Sequence, residues 1–219
     1  MTKELISKLE ASIEADLDWR HAELAVYREI LATLGENEIK RKAMYRAAWA
    51  LIYAHYEGFC KYCLEGYIEF LSSAMQDCVG FSDRMFVFMI EKEIKKARSL
   101  SSDGIYAFYA NDIPKIRVSA PPKIGIETNS NLWPTLLRSI LDRLELGSYS
   151  IILDEAKIKT LVARRNDIAH GKKVFIEDLR YYLEYERAAS NLMYSLALAI
   201  VDRAATCTGQ PRSSVARRP

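Results

Sequence analysis

The sequence predicts an all-α protein, a bundle of long antiparallel helices that forms one domain over residues 1–206. Thr2–Leu34 and Glu38–Ser73 contain no proline, and in the first of them leucine and isoleucine recur every three, four or seven residues, as along one face of a helix. The 219 residues include only 9 Gly and 6 Pro, and no two-residue hairpin signal separates the helical patterns. These observations favour helices over strands.

Shorter helical patterns follow the two long ones. Ser82 is suited to cap a short amphipathic helix, and Asn131 is suited to cap another with Pro134 in its first turn. The last two helices are predicted over residues 153–170 and 177–205, and Gly171 stops the first of these two.

Two parts of the chain lack a helical pattern. Residues 99–129 contain a Ser-Ser-Asp-Gly run, an Ile-Pro pair and a Pro-Pro pair, so we expect an irregular insertion with one short strand at Lys115–Val118. Residues 207–219 have no apolar periodicity, and we expect a disordered basic tail there.

The overall charge and the cysteine count exclude several classes of protein. The 31 Lys and Arg nearly balance the 29 Asp and Glu, for a formal net charge of +2, so any nucleic-acid site has to be local. Four cysteines in a chain of this length exclude a disulfide scaffold. No apolar run approaches the roughly 20 residues that span a bilayer, and no signal-peptide pattern is visible. We therefore expect a soluble cytoplasmic protein that does not enter a membrane.

One segment concentrates positive charge. Residues 156–173 contain six Lys and Arg and a single acidic residue, Asp167. On a helical projection, Arg165 falls near the middle of an apolar stripe. The stripe consists of Ile158, Leu161, Val162, Ile168 and Ala169. Because an unpaired buried charge is costly, Arg165 needs an acidic partner or a cleft. Asn166 and His170 are four residues apart, so they share a face and can act on one bound group.

The residues alone leave two interpretations of this segment open. In the structural interpretation, Arg165 pairs with a buried acid such as Glu57, and His170 is a helix-end residue that the helix dipole favours. In the functional interpretation, the arginine and the imidazole belong to a site. His55 and Glu57 on the second helix are either partners that support Arg165 or a satisfied buried polar pair.

The sequence resembles the HEPN superfamily, helical-bundle proteins that include many metal-independent ribonucleases of bacterial toxin and antiphage systems. The hexapeptide Arg-Asn-Asp-Ile-Ala-His at residues 165–170 has the pattern of Arg, a polar residue, three further residues and His. Residues 53–70 resemble the second helix of small bacterial HEPN proteins, and residues 129–132 and 161–171 are also similar to that group. The resemblance covers residues 16–202, apart from the stretch 99–129.

The resemblance implies roles for the residues of the hexapeptide. Arg165 and His170 would be the catalytic pair of a metal-independent endoribonuclease, and Asn166 the polar residue that accompanies them. Histidine titrates near neutral pH and can move protons, while arginine presents forked donors to phosphate oxygens. No cofactor and no metal would be needed. In HEPN toxins regulated by nucleotidylation a Tyr stands two positions after the motif His, and Lys172 occupies that position here.

Further expectations concern partners. Arg164, Lys172 and Lys173 are candidates for binding the flanking phosphates of an RNA. The family resemblance implies a homodimer in which both motifs line one cleft, a role as a toxin or abortive-infection effector, and an antitoxin or another defence protein as a partner. Two other functions stay open: a non-catalytic RNA-binding or regulatory HEPN module, and a helical protein-interaction scaffold.

Two other patterns favour structural roles. Cys60 and Cys63 have the spacing of a zinc half-site, but they lie mid-helix in an apolar run, which favours buried thiols. A tyrosine cluster at helical spacing favours core or interface packing over a base-stacking platform. The cluster consists of Tyr181, Tyr182, Tyr185 and Tyr194.

Overall fold

The computed structural model describes residues 2–128, 130–147 and 150–207, and these residues contain helices and no strand. The all-α prediction is therefore confirmed for the described part of the chain. In chain order the helices are α1 (Thr2–Ala32), α2 (Glu38–Ala74), α3 (Asp83–Met89), α4 (Glu91–Ala97), α5 (Ser102–Ala107), α6 (Ile113–Arg117), α7 (Pro134–Arg143), α8 (Glu155–Ala169) and α9 (Leu179–Cys207). A π-helical turn, Phe108–Asp112, joins α5 to α6.

The core lies where α1, α2 and α9 pack together, with α8 against α2 and α9. Helix α1 buries one stripe of aliphatic side chains. The stripe consists of Leu9, Ile13, Leu17, Leu24 and Leu31. Helix α2 buries large side chains over most of its circumference, and Trp49, Tyr56 and Phe59 are fully buried. The prediction that the second helix is central is confirmed.

Contacts along the helices fix their directions. The Tyr62 hydroxyl of α2 donates to the Ser12 carbonyl of α1, and His55, earlier in α2, contacts Glu23, later in α1. Helices α1 and α2 are therefore antiparallel. Within the described residues, no helix is both long enough and apolar enough to span a membrane.

The expectation of an irregular insertion over residues 99–129 is wrong for half of that stretch, and the strand at Lys115–Val118 is wrong. Residues 102–117 are helical, because the Ser101 side chain caps α5 by accepting from the Gly104 N–H (3.2 Å) and Pro114 lies in the first turn of α6. The Ser-Ser-Asp-Gly run and the Ile-Pro pair, taken as helix breakers, thus begin helices, whereas the Pro-Pro pair lies in non-helical chain. Residues 118–128 are not helical, and the Ile126 N–H donates to Glu65 of α2 (3.0 Å).

Other boundaries differ in smaller ways. Ser82 caps α3 as expected, but the single short helix is two, because the backbone leaves the helical conformation at Ile90. Asn131 is not the cap of α7: that position belongs to Trp133, and Pro134 follows in the first turn. Helix α9 includes Cys207, and the rest of the predicted tail, residues 208–219, lies outside the described residues.

Candidate functional site

Helix α8 carries the Arg-Asn-Asp-Ile-Ala-His hexapeptide at its C-terminal end. The Asp154 side chain caps the start of the helix by accepting from the Lys157 N–H (3.0 Å). At the other end, the His170 N–H donates to the Asn166 carbonyl (2.9 Å), and Gly171 adopts the left-handed conformation (φ +74°) that ends the helix. The predicted helix over residues 153–170 and its stop at Gly171 are confirmed.

Arg165 lies where α8, α2 and the turn before α7 meet. Its Cζ is 3.7 Å from the centroid of the Tyr53 ring, and its Nη2 is 3.5 Å from a carboxylate oxygen of Glu57. The same Nη2 donates to the Ser130 carbonyl (3.1 Å). The Arg165 side chain is 20% exposed, so these three contacts hold a guanidinium that still faces solvent.

Two tyrosines of α2 fix the turn that faces Arg165. The Leu132 N–H donates to the Tyr53 hydroxyl oxygen (3.1 Å), and the Tyr56 hydroxyl donates to the Leu132 carbonyl (2.8 Å). Burial, together with the adjacent Glu57 carboxylate, raises the pKa of Tyr53 to about 12, although the Leu132 N–H and Arg165 act in the opposite direction. Tyr53 therefore remains a neutral phenol at physiological pH, with its ring under Arg165 and its oxygen on the turn.

The apolar stripe of α8 is buried only over the first part of the helix. Ile158, Leu161 and Val162 are fully buried, but Ala169 is exposed, contrary to the projection. A helical period describes a buried face only while a neighbour covers it, and the last turn of α8 is uncovered. Arg165 is consequently half-buried instead of central to a buried face.

The other two residues predicted to be catalytic lie on the uncovered turn. Asn166 is half-buried and His170 is exposed. Within the described residues, the His170 imidazole makes no hydrogen bond, ion pair or ring contact. The structure brings Arg165 together with Glu57 and leaves the imidazole exposed.

The three cations predicted to bind flanking phosphates differ in their surroundings. Arg164 is half-buried against Tyr181, and it donates to the Phe175 carbonyl (3.2 Å). Lys172 is exposed and pairs with Asp167 (2.7 Å). Lys173 is exposed.

The family model described as HEPN_MAE_28990-like HEPN matches residues 9–207, nearly the whole of the described chain. The chain belongs to the HEPN family. No curated protein and no solved structure matches it significantly. The resemblance stated from the hexapeptide and the second helix is thereby confirmed, and so is the HEPN-like bundle as its fold.

Of the two residues expected to support Arg165, the HEPN bundle places only one beside it. Glu57 contacts Arg165, whereas the buried His55 faces α1, where its Nε2 is 2.9 Å from a Glu23 carboxylate oxygen. Side chains that are two residues apart on one helix point to different sides, so His55 and Glu57 could not both reach the same group. His55 as a supporting residue is therefore a wrong prediction.

Burial lowers the pKa of His55, with Arg20 acting in the same direction and Glu23 and Asp16 opposing it. The unfolded chain then binds the proton more tightly than the folded HEPN domain between the lowered pKa and the ordinary value of 6.5. We expect the free energy of unfolding to fall as the pH is lowered through this range. Urea unfolding at pH 7.5 and pH 5.5 should show a smaller loss in His55→Gln than in the wild type; an equal loss in both would contradict the role of His55.

Sequence reasoning missed Tyr53 as the ring beneath Arg165. The signal was available, because Tyr53 and Glu57 are four residues apart on α2 and so lie on the same side of it. Sequence reasoning also missed the carbonyl of Ser130, which no side-chain pattern indicates.

Cys60 and Cys63 are fully buried in the HEPN core, and burial raises the pKa of both thiols. Their environment is that of structural side chains, as the sequence favoured.

Proposed function

We propose that this HEPN protein is a metal-independent endoribonuclease. The observation that carries the proposal is the placement of Arg165: a permanently charged, forked donor is held at the surface by Tyr53, Glu57 and the Ser130 carbonyl, five residues before the exposed His170. A fixed cation and an accessible imidazole at the same end of one helix suit chemistry on a phosphodiester.

In the proposed reaction, the ribose 2′-oxygen attacks the adjacent phosphorus, and the bond from phosphorus to the 5′-oxygen breaks. The 2′-hydroxyl loses a proton and the leaving 5′-oxygen gains one; His170 carries out one of these two transfers and water carries out the other. Arg165 donates to the non-bridging oxygens and stabilises the charge that develops on them. Asn166 orients the phosphate or the imidazole, and the products are a 2′,3′-cyclic phosphate and a 5′-hydroxyl.

The contact between Arg165 and Glu57 is compatible with this role. The distance of 3.5 Å between Arg165 Nη2 and the Glu57 carboxylate oxygen exceeds the 2.7–2.9 Å that is usual for a strong charged hydrogen bond. Glu57 therefore orients the guanidinium without occupying all of its N–H donors. The same contact is also what a purely structural ion pair would make. It therefore favours, as the second candidate, a HEPN module that binds RNA without cleaving it.

Incubating RNA with the purified protein in EDTA separates the candidate functions. Cleavage supports the endoribonuclease, and retention of RNA without cleavage supports the binding or regulatory module. If the protein neither cleaves nor retains RNA, it would be a protein-interaction scaffold. Cleavage that EDTA abolishes would contradict the metal-independent mechanism.

We further propose that the enzyme acts as a toxin or abortive-infection effector, with an antitoxin or another defence protein as its partner. The family membership supports this assignment. Induced expression of the wild type should arrest bacterial growth, whereas His170→Ala should not; equal growth of both strains would contradict it.

We propose that two copies associate beside α8, so that both motifs line one cleft. Arg165 is only half-buried in one copy, and the neighbouring outward side of α2 exposes Ala47 and Ala54 and half-exposes Leu51. A two-fold axis there would cover this apolar surface and bring two arginines and two imidazoles to one phosphate.

Mixing two inactive variants tests this arrangement. If one site takes Arg165 from one copy and His170 from the other, Arg165→Ala mixed with His170→Ala should regain part of the wild-type cleavage rate after subunit exchange. Each variant alone is the control. A fully active wild type that light scattering shows to be monomeric would contradict the proposed dimer.

A further inference from the structure

Arg164 stands next to Arg165 in the sequence but contacts a different part of the molecule. Its Cζ is 4.9 Å from the centroid of the Tyr181 ring and 5.5 Å from that of Trp49, and its Nη1 donates to the Phe175 carbonyl (3.2 Å). Consecutive helical residues are rotated by about 100°, which turns Arg164 towards Trp49 of α2 and Tyr181 of α9, while Arg165 faces Glu57 of α2 and the turn before α7.

The Phe175 carbonyl belongs to the segment that connects α8 to α9. This connecting segment, residues 171–178, is not helical before residue 179 and carries Lys172 and Lys173 immediately after His170. Arg164 binds it from α8, and Ile176 is buried in the core. The bond from Arg164 therefore ties the connecting segment to α8 at Phe175.

The two rings next to Arg164, those of Trp49 and Tyr181, are themselves held in place. Trp49 is fully buried and its Nε1 donates to the Leu161 carbonyl of α8 (3.2 Å). The Tyr181 hydroxyl is 2.9 Å from that of Tyr185, and the Tyr181 N–H is fixed by Asp178 (2.7 Å). A planar guanidinium can lie over rings and still donate to a carbonyl, which a lysine ammonium cannot reproduce.

We propose that Arg164 is a positioning residue and not a phosphate ligand: by joining the Trp49–Tyr181 rings to the Phe175 carbonyl, it fixes the course of the connecting segment beyond the helix end, and with it the side chains of Lys172 and Lys173. The consequence for catalysis rests on the proposed ribonuclease function. The consequence for the connecting segment does not.

The first test therefore measures the connecting segment itself. Limited trypsin digestion, followed by mass spectrometry, should show cleavage after Lys172 and Lys173 becoming faster in both Arg164→Ala and Arg164→Lys, because a protease needs a released segment. Arg187→Ala removes an exposed arginine of α9 and is the matched control. Circular dichroism establishes that each variant is folded, and Arg164→Lys keeps the test available if Arg164→Ala does not fold. Unchanged digestion in the folded variants would overturn the proposal.

The second test uses RNA. A positioning residue predicts that kcat falls by about 10- to 100-fold in both variants, while the dependence of RNA affinity on salt keeps its slope. A phosphate ligand predicts instead that Arg164→Lys retains activity and that Arg164→Ala lowers the slope by about one, which would overturn the proposal. Faster digestion of the variants of a protein whose wild type cleaves no RNA would support the positioning of the segment and count against the ribonuclease.

Discussion

Arg165→Ala and His170→Ala are each expected to lower the rate of RNA cleavage by about 10²–10⁴-fold. General acid–base catalysis contributes on the order of 10²–10⁴-fold, and one donor to a developing oxyanion contributes about 10²–10³-fold. Tyr53 and Glu57 hold the Arg165 guanidinium, and His170 has no such contacts among the described residues. Arg165→Ala therefore removes the proposed phosphate donor, and His170→Ala removes the proposed proton-transfer group. The measurement is single-turnover cleavage of a labelled RNA at saturating protein.

The folding of these variants is the control. The exposed His170 side chain should change the free energy of unfolding by less than about 0.5 kcal/mol when it is removed. Loss of the partly exposed Arg165–Glu57 pair should cost about 1 kcal/mol. Unchanged cleavage in either variant would contradict its catalytic role, and loss of helicity in Arg165→Ala would favour the structural interpretation of that arginine.

Trp49→Ala is expected to lower the free energy of unfolding by about 3–5 kcal/mol, a large part of the 5–15 kcal/mol typical of a domain. Trp49 is fully buried, its ring is 4.6 Å from that of Tyr185 between centroids, and its Nε1–H bonds the Leu161 carbonyl. The substitution therefore leaves a cavity between α2, α8 and α9. Urea unfolding followed by circular dichroism measures the change.

Trp49→Phe is the matched variant for this prediction, because it keeps an aromatic ring but removes the Nε1–H. Its cost should be smaller, about 1–3 kcal/mol, since the smaller ring and the lost hydrogen bond are the only deficits. A loss below about 1 kcal/mol in Trp49→Ala would contradict the structural importance assigned to this side chain.

The long helices could be predicted because their signals are local. Apolar periodicity predicted α1, a long apolar run without proline predicted α2, and Gly171 predicted the end of α8. Residues 102–117 were misjudged because serine and proline act as breakers inside a helix and as favourable residues at its start. Only the surrounding structure decides which role Ser101 and Pro114 take.

The candidate site was predictable in part. A partner for Arg165 was expected on energetic grounds, and Glu57 is in contact with it. A count of the charges over residues 156–173 does not distinguish Arg164 from Arg165, although their side chains lie in different environments. Which cation is enclosed by rings depends on the packing of α2 and α9, and that information is not local in the sequence.

Comparing an RNA with its fully 2′-O-methylated counterpart in EDTA tests most directly whether the 2′-hydroxyl attacks a phosphate that Arg165 holds, with His170 moving a proton. The wild type should cut the RNA to products with 2′,3′-cyclic phosphate ends and leave the methylated strand intact, and Arg165→Ala should cut neither. Equal cleavage of both strands, or RNA cleavage that requires added divalent metal, would contradict the account.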